Sequence, residues 1–384
     1  MRLLVVSILV AAACKGQQGT SRIAVGPVSD ADARAFGDKL VPMLKPCDEA
    51  KVAQVVDAGA MAAKFLAQSA LPDAKGAAAR LAKTDVGARL LCAWMRGVDD
   101  VRVLHTKTVG TEPHLILRRQ IHDPRSGGIV VGYDELQLGT SEKDHQVRIV
   151  DAFTYVQGQW ISQLVSGNLD ATQPLDYLGE VPQMAAEVRN AYQLQHAGKN
   201  AEALQLIDTL PKNVRAYRGV QLVRVRASAA LGKESYRQAL DELASVFPND
   251  PSIAMIEADG ASATGDFDAA LTWIDLVNTS IGGDAFQEAH RAMAHLQRAK
   301  PGDPELAAQT ADKAIAMEPS LTRAWEVKLD IMIAQKKWAD AVAVMRELED
   351  HHGVHFDDAK LAAQPTVAEL LASAEYKAWR ASRN

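Results

Sequence analysis

Aromatic residues are scarce in this chain, only 5% of the whole, so its cores are expected to close with small and aliphatic side chains instead of stacked rings. Neither sign of charge dominates: 42 Lys and Arg stand against 48 Asp and Glu, a net charge of -6. The two signs are interspersed, which leaves no basic stripe for a phosphate backbone and argues against nucleic acid as a partner. No Gly-rich phosphate loop, nucleophile elbow or Cys-x-x-Cys pair occurs, so no motif points to catalysis or to a cofactor. Cysteine is nearly missing, with Cys14, Cys47 and Cys92 the only three. The apolar run Leu3 to Val10 is too short to span a bilayer as a mature helix.

What is present is enough for two or three domains: 384 residues, 48% of them hydrophobic. Ser29 and Asp32 form a weak capping box ahead of Ala33, Phe36, Leu40 and Leu44, which recur at helical spacing until Pro46. A second amphipathic helix is expected from Asp48 through Leu66, a third from Pro72, and a fourth capped by Thr84 and carrying Leu90, Leu91, Cys92, Trp94 and Met95. At Val101 the period changes from 3.6 to 2. Alternation through Val101 to His105, Leu115 to Leu117, Ile129 to Tyr133 and Val147 to Tyr155, with turn chemistry between, predicts a four-stranded antiparallel meander. After Tyr133 the apolar parity moves to Leu136 and Leu138, which predicts a bulge near Asp134 or Glu135. Trp160, Ile161 and Leu164 suggest a short closing helix. Residues 167–183, rich in loop formers, mark a boundary.

The N-terminal sequence "ILVAAACKG" places small residues directly before Cys14. It resembles the lipobox of bacterial lipoproteins, departing from it at Ala11, where a branched aliphatic is usual. The resemblance implies cleavage before Cys14, acylation of its thiol and amine, and a lipid anchor in the bacterial envelope; Lys15 in place of aspartate favours the outer membrane, facing the periplasm. An ordinary cleavable signal with an incidental cysteine is the alternative. In an oxidising compartment Cys47 and Cys92 are candidates for a disulfide, or else two buried free thiols on separate helices.

From residue 184 the chain becomes self-similar. Ala203, Ala239, Ala270, Ala307 and Ala341 sit in related contexts, among them "GKNAEAL", "GDFDAAL", "GDPELAA" and "KKWADAV". The spacing near 34, with helix-turn-helix patterning, resembles the tetratricopeptide (TPR) repeat. Gly265 suits the turn of the clearest unit, Phe267 and Ile274 fill grooves between units, and Pro319 stops a helix before Trp325 opens the next. Lys336 stands where glycine is expected, Leu329 replaces a small residue, and the turn after Gly232 is long. The resemblance implies an all-α solenoid whose first helices line a concave groove for a protein partner. Thr366, Glu369, Leu370, Leu371, Tyr376 and Trp379 predict a capping helix at its end.

The expected order is therefore a leader and lipobox (1–14), a tether (15–28), an α+β domain (29–166) with weak likeness to nuclear-transport-factor-two-like and cystatin-like folds, a linker (167–183), TPR-like repeats (184–350), and a loop with capping helix (351–384). Arg215, Arg218, Arg224 and Arg226 form a basic run suited to an acidic peptide or terminal carboxylate. Asp151, Tyr133 and Glu135 are candidates to line a pocket in the curved sheet. "HHGVHFDD" (351–358) holds metal-binding residue types, but Gly353 interrupts the helix that would align them, and no metal is expected. The composite reading is a non-enzymatic, lipid-anchored envelope scaffold that grips a protein in its groove; the alternative is a small-ligand or degenerate enzymatic α+β domain positioned by the repeats.

Overall fold

In a computed structural model of the chain, the described residues are 28–68, 73–122, 129–141, 144–156, 158–163, 185–248 and 250–383. The expected leader with Cys14, nearly all of the tether, and the expected linker lie outside them.

The first half begins with five helices: α1 (Asp30–Leu44), α2 (Glu49–Val55), α3 (Ala58–Gln68), α4 (Ala74–Leu81) and α5 (Val86–Trp94). Ser29 caps α1 by accepting from the Asp32 amide at 3.1 Å, and Ala33, Phe36, Leu40 and Leu44 are its buried stripe. The single helix expected from Asp48 to Leu66 is two. It breaks because Val56 bridges Ile149 at the sheet edge and the Asp57 amide donates to the Ile149 carbonyl at 2.8 Å, so the backbone leaves the helix to cover a strand. The expected cap Thr84 instead donates its hydroxyl back to the Leu81 carbonyl, and Asp85 occupies the cap position of α5.

The sheet follows: β1 (Asp100–Val109), β2 (Glu112–His122), β3 (Ile129–Thr140), β4 (Val147–Thr154) and β5 (Gln159–Trp160), antiparallel in sequence order. It thus has five strands, not the expected four. Trp160 pairs with Phe153 as a short edge strand before a helical turn begins at Ile161.

The bulge expected in β3 is absent, since Asp134 and Glu135 stay in register with Leu117 and Ile116. The register instead shifts opposite Gln137 and Leu138, where Val150 of β4 is the extra residue, and again at Leu104 of β1. The parity change in β3 has another cause. Leu136 and Leu138 pack on the N-terminal helices while Tyr133 packs on helices from the second half: both faces of the strand are covered.

The second half is helical. It comprises α6 (Ala185–His196), α7 (Asn200–Thr209), the short α8 (Lys212–Arg215), α9 (Arg218–Ala229), α10 (Lys233–Val246), α11 (Pro251–Thr264), α12 (Phe267–Ile281), α13 (Ala285–Arg298), α14 (Asp303–Met317), α15 (Thr322–Ala334) and α16 (Trp338–His351). Apart from α8 these are five hairpins in series, each helix packing on its sequence neighbours. The first residue with positive φ after the first helix of each hairpin is Gly198, Gly232, Gly265, Ala299 and Lys336, and the α13–α14 turn holds a second, Gly302. Helix ends favour glycine there; Ala299 and Lys336 adopt the same left-handed conformation without it. The expected turn glycine Gly302 lies three residues past Ala299, at the cap of α14. Ala203, Ala239, Ala270, Ala307 and Ala341 are all buried on the second helices of their hairpins.

The expected single capping helix is three pieces: a 3-10 turn (Pro365–Val367), α18 (Ala368–Ala372) and α19 (Ala374–Ala381), preceded by α17 (Asp358–Ala362). Ser373 restarts the helix by accepting from the Tyr376 amide at 3.1 Å. Leu370, Tyr376 and Trp379 join the core formed by α13 to α16.

Cys47 and Cys92 are disulfide-bonded, with Cα atoms 5.3 Å apart, fastening the end of α1 to α5. The bond closes a loop across 45 positions, which in the chain-entropy account stabilises by about 4 kcal/mol. Replacing both cysteines with alanine is expected to lower the unfolding free energy by about that amount, measured by urea denaturation; an unchanged midpoint with unchanged slope contradicts it.

Candidate functional site

Strand alternation puts His114, Ile116 and Arg118 on one face of β2, and the register sets Glu135 beside Ile116 and Tyr133 beside Arg118 on β3. Tyr155 follows β4 at the same level, its amide donating to the Tyr133 carbonyl. The helical array covers this face. Ala254 of α11, Val277 and Ile281 of α12, and half-buried Phe286 of α13 share a core with Ile116, Val131, Tyr133 and Tyr155. Gly282 has φ +79, and a Cβ there would stand 2.3 Å from His105 Nε2, so only glycine lets the α12–α13 loop come this close to β1.

The polar groups within the seam fall into two clusters. In the first, Arg118 is 1% exposed. Its guanidinium donates to Asp284 Oδ1 at 2.7 Å and to Glu318 Oε1 at 2.8 Å. Tyr133 donates its hydroxyl to Asp284 Oδ2 at 2.7 Å and accepts from Gln287 Nε2 at 3.1 Å, while Arg102 pairs with Glu318 at 2.6 Å. Burial pushes the Tyr133 hydroxyl well above its usual value, and Asp284 adds to it. Burial also raises the Asp284 carboxyl against the pull of Arg118 and Tyr133. For Arg118 burial works downward, but Glu318 and Asp284 outweigh it and the guanidinium is raised.

In the second cluster Glu135 meets His114 Nδ1, Lys107 Nζ at 2.7 Å and the Tyr155 hydroxyl, which donates at 3.1 Å. Lys107 also donates to the Ser280 carbonyl of α12 at 3.2 Å. Burial works to raise the Glu135 carboxyl, yet His114 and Lys107 overcome it and lower it. His114 Nε2 and Gln137 Nε2 are buried with no hydrogen-bond partner among the described residues, on cross-strand neighbours, and Glu112 Oε2 stands 4.0 Å from the former. A histidine oriented by a carboxylate is half of an acid-base device. Among the described residues no serine, threonine or cysteine is hydrogen-bonded to the ring, and the ring is covered by Trp160, edge-on at 5.9 Å between centroids.

Of the three pocket candidates, Tyr133 and Glu135 lie in this seam and Asp151 does not join them. Asp151 accepts from the Ser162 hydroxyl and amide and from the Ala152 amide, holding the helical turn after β5; burial raises its carboxyl. The described pockets lie elsewhere. One, of about 10 Å³ and lined by Met61, Phe65, Leu81 and Ser162 among others, has room for about one water.

The arginine run does not form one basic face. Arg215 ends α8 rather than lying on the first helix of a hairpin. Arg218 pairs with Asp250 and stacks on Phe247 at 4.4 Å, and Arg224 pairs with Asp208 and Glu242. Arg226 alone of the four is exposed. In the histidine-rich segment, His351 meets Glu347 at 3.1 Å, His352 contacts Thr322, and Asp357 caps α17. Among the described residues no group of three or more His, Cys, Asp or Glu is placed to hold a metal, and no helix is long and apolar enough to cross a membrane.

The residues missed in the sequence are Asp284, Glu318 and Gln287. The signal for them was Arg118 itself, a charge within an alternating apolar strand that required a distant acid. Comparison of the chain with family models, with curated proteins and with solved structures finds no match.

Arg118→Ala is expected to destabilise by about 3–5 kcal/mol, because it strands a buried Asp284 carboxylate; urea unfolding measures it, and a loss below 1 kcal/mol overturns the assignment. The Glu135 carboxyl is lowered on folding, so its contribution is present above its unfolded value near 4.5 and is lost as pH falls below that. Glu135→Gln therefore reduces stability at pH 7 and flattens its decline between pH 5 and pH 3, as read by thermal melts across that range.

Proposed function

We propose that the chain is a non-enzymatic scaffold of the bacterial envelope, anchored through lipidated Cys14, whose hairpins form a TPR-like solenoid that holds an extended protein segment against its first helices. The observation that carries this reading is a column of residues. Six positions before each left-handed turn residue stand Tyr192, Arg226, Asp259, Met293 and Asp330, all exposed or half-buried, one on each first helix.

One further fact supports a concave inner surface. Two of the four pairs of successive first helices pack on each other, α6 on α9 and α13 on α15, with no comparable packing at α9–α11, at α11–α13 or between successive second helices; an array tightened on one side curves toward that side at those two places. Asp259 has 73% of its side chain exposed, and the protein around it raises its carboxyl to about 6. Burial raises exposed Asp330 as well. His290, 3.9 Å from Asp259, is held down at about 4 by burial and by Arg323, so it stays neutral at physiological pH.

The sheet does not block this column. It docks on the ends of the hairpins, through the N-terminal ends of α11 and α13 and the C-terminal ends of α12 and α14. The alternative of a ligand in the hollow of the sheet has less support, since Ala254, Val277 and Ile281 occupy that face.

A photo-crosslinking residue at Asp259 or Asp330 is expected to yield a partner adduct in envelope fractions, and one at Leu306, exposed on a second helix, is not. Asp259→Lys with Asp330→Lys should weaken that capture at least about tenfold, or 1.4 kcal/mol; equal adducts from both surfaces reject the groove. Incorporation of a palmitate analogue, lost in Cys14→Ser, tests the anchor separately.

A further inference from the structure

Four joints connect a second helix to the first helix of the next hairpin: α7–α9, α10–α11, α12–α13 and α14–α15. Three carry the same ionic device. Asp208 pairs with Arg224, Asp275 with Arg291, and Asp312 with Lys328. In each, an aspartate on the second helix meets a cation sixteen positions later, eight positions before the left-handed turn residue.

At the α10–α11 joint the same two positions are Asp241 and Glu257. The aspartate is retained and the cation is replaced by an acid. Glu257 is only 4% exposed, and its Oε1 has no hydrogen-bond partner among the described residues. The helices approach closely here, since a Cβ on Gly260 would stand 2.4 Å from Leu240. From α10 the titratable groups bearing on this place are Asp241 and Tyr236. From α12, Leu271 and Ile274 form an apolar cluster with the adjacent Ala258. Asp259 of α11 and His290 of α13 face each other, and Arg218 is committed to Asp250. No cation among the described residues compensates Glu257.

We propose that the α10–α11 joint is a proton-loaded hinge: a neutral Glu257 stands where the other joints hold a cation, and release of its proton to solvent sets two carboxylates against each other across the joint. Burial, with Asp241 second, pushes the Glu257 carboxyl up to about 8, consistent with that geometry. A carboxyl raised on folding costs nothing below its unfolded value and costs progressively more as pH climbs to its folded value. The joint therefore weakens from about pH 4.5 to 8 and has lost the whole contribution above that. The joint separates the hairpins α6–α7 and α9–α10, which meet the first half at Gly158 through Arg218, from those packed into the apolar face of the sheet, so its loosening would change the curvature of the array between them. This inference stands whether or not a partner occupies the first-helix face.

Hydrogen exchange of the full chain, corrected for the intrinsic pH dependence of exchange, tests it in wild type, Glu257→Gln and Glu257→Arg. Protection of α10 and α11 in wild type is expected to fall at least about tenfold between pH 6 and 8.5. In Glu257→Gln it stays flat. In Glu257→Arg, which restores the pair with Asp241, it is flat and higher than wild type at pH 8.5. The α14–α15 joint, closed by Lys328 and Asp312, serves as the internal control and stays flat in all three. Identical slopes in wild type and Glu257→Gln overturn the proposal. So does a Glu257→Arg joint less protected than wild type at pH 8.5; should that variant fail to fold, the Glu257→Gln comparison decides alone.

Discussion

A single buried guanidinium sets the relation between the two halves of this protein. Arg118 sits on the sheet face that the helical array covers, and both of its carboxylate partners come from that array, from the loop before α13 and the end of α14. A charge sunk this deeply is tolerated only where its partners arrive with correct geometry. The array must therefore dock in one register, bringing Tyr133, Gln287 and Arg102 into the same network. Around it the apolar contacts of Ile116, Val131 and Tyr155 with Ala254, Val277 and Ile281 supply the burial. The ionic core supplies the selectivity, because a shift of the array along the sheet would leave Arg118 and Asp284 desolvated and apart.

The elements that were legible in the sequence are those with strong local periodicity. Four strands and their turns followed from alternation, and the helical hairpins followed from alanine spaced near 34 residues, because close helix crossings require small side chains wherever they occur. Where reading failed, a distant contact had overridden a local pattern. The break between α2 and α3 answers to Ile149 across the fold, and the parity change in β3 answers to two covered faces instead of a bulge. The arginine run looked like a basic face because charge in sequence does not reveal which cations are already spent. Arg218 and Arg224 are held by Asp250, Asp208 and Glu242, acids that lie on other helices or loops.

The left-handed turn residues make the same point from the other direction. Ala299 and Lys336 take a conformation that ordinarily favours glycine, at a cost of roughly 1 kcal/mol each, and the hairpins they close still pack in series like the others. Regular geometry is thus maintained even where the local chemistry disfavours it. A departure from the repeating ionic pairs is informative for that reason: in an array whose neighbours enforce one another, a position that breaks the pattern sits against otherwise uniform surroundings.

The way the halves meet has a topological consequence. Residue 163 and residue 185 bound the covalent connection between them, yet the sheet already grips the hairpins through an apolar patch and an ionic core that involve neither end. Cohesion between the halves therefore does not rest on the peptide link alone. Severed there, the two pieces would retain matching surfaces, so the molecule is organised as a complementary pair of fragments that happens to be translated as one chain.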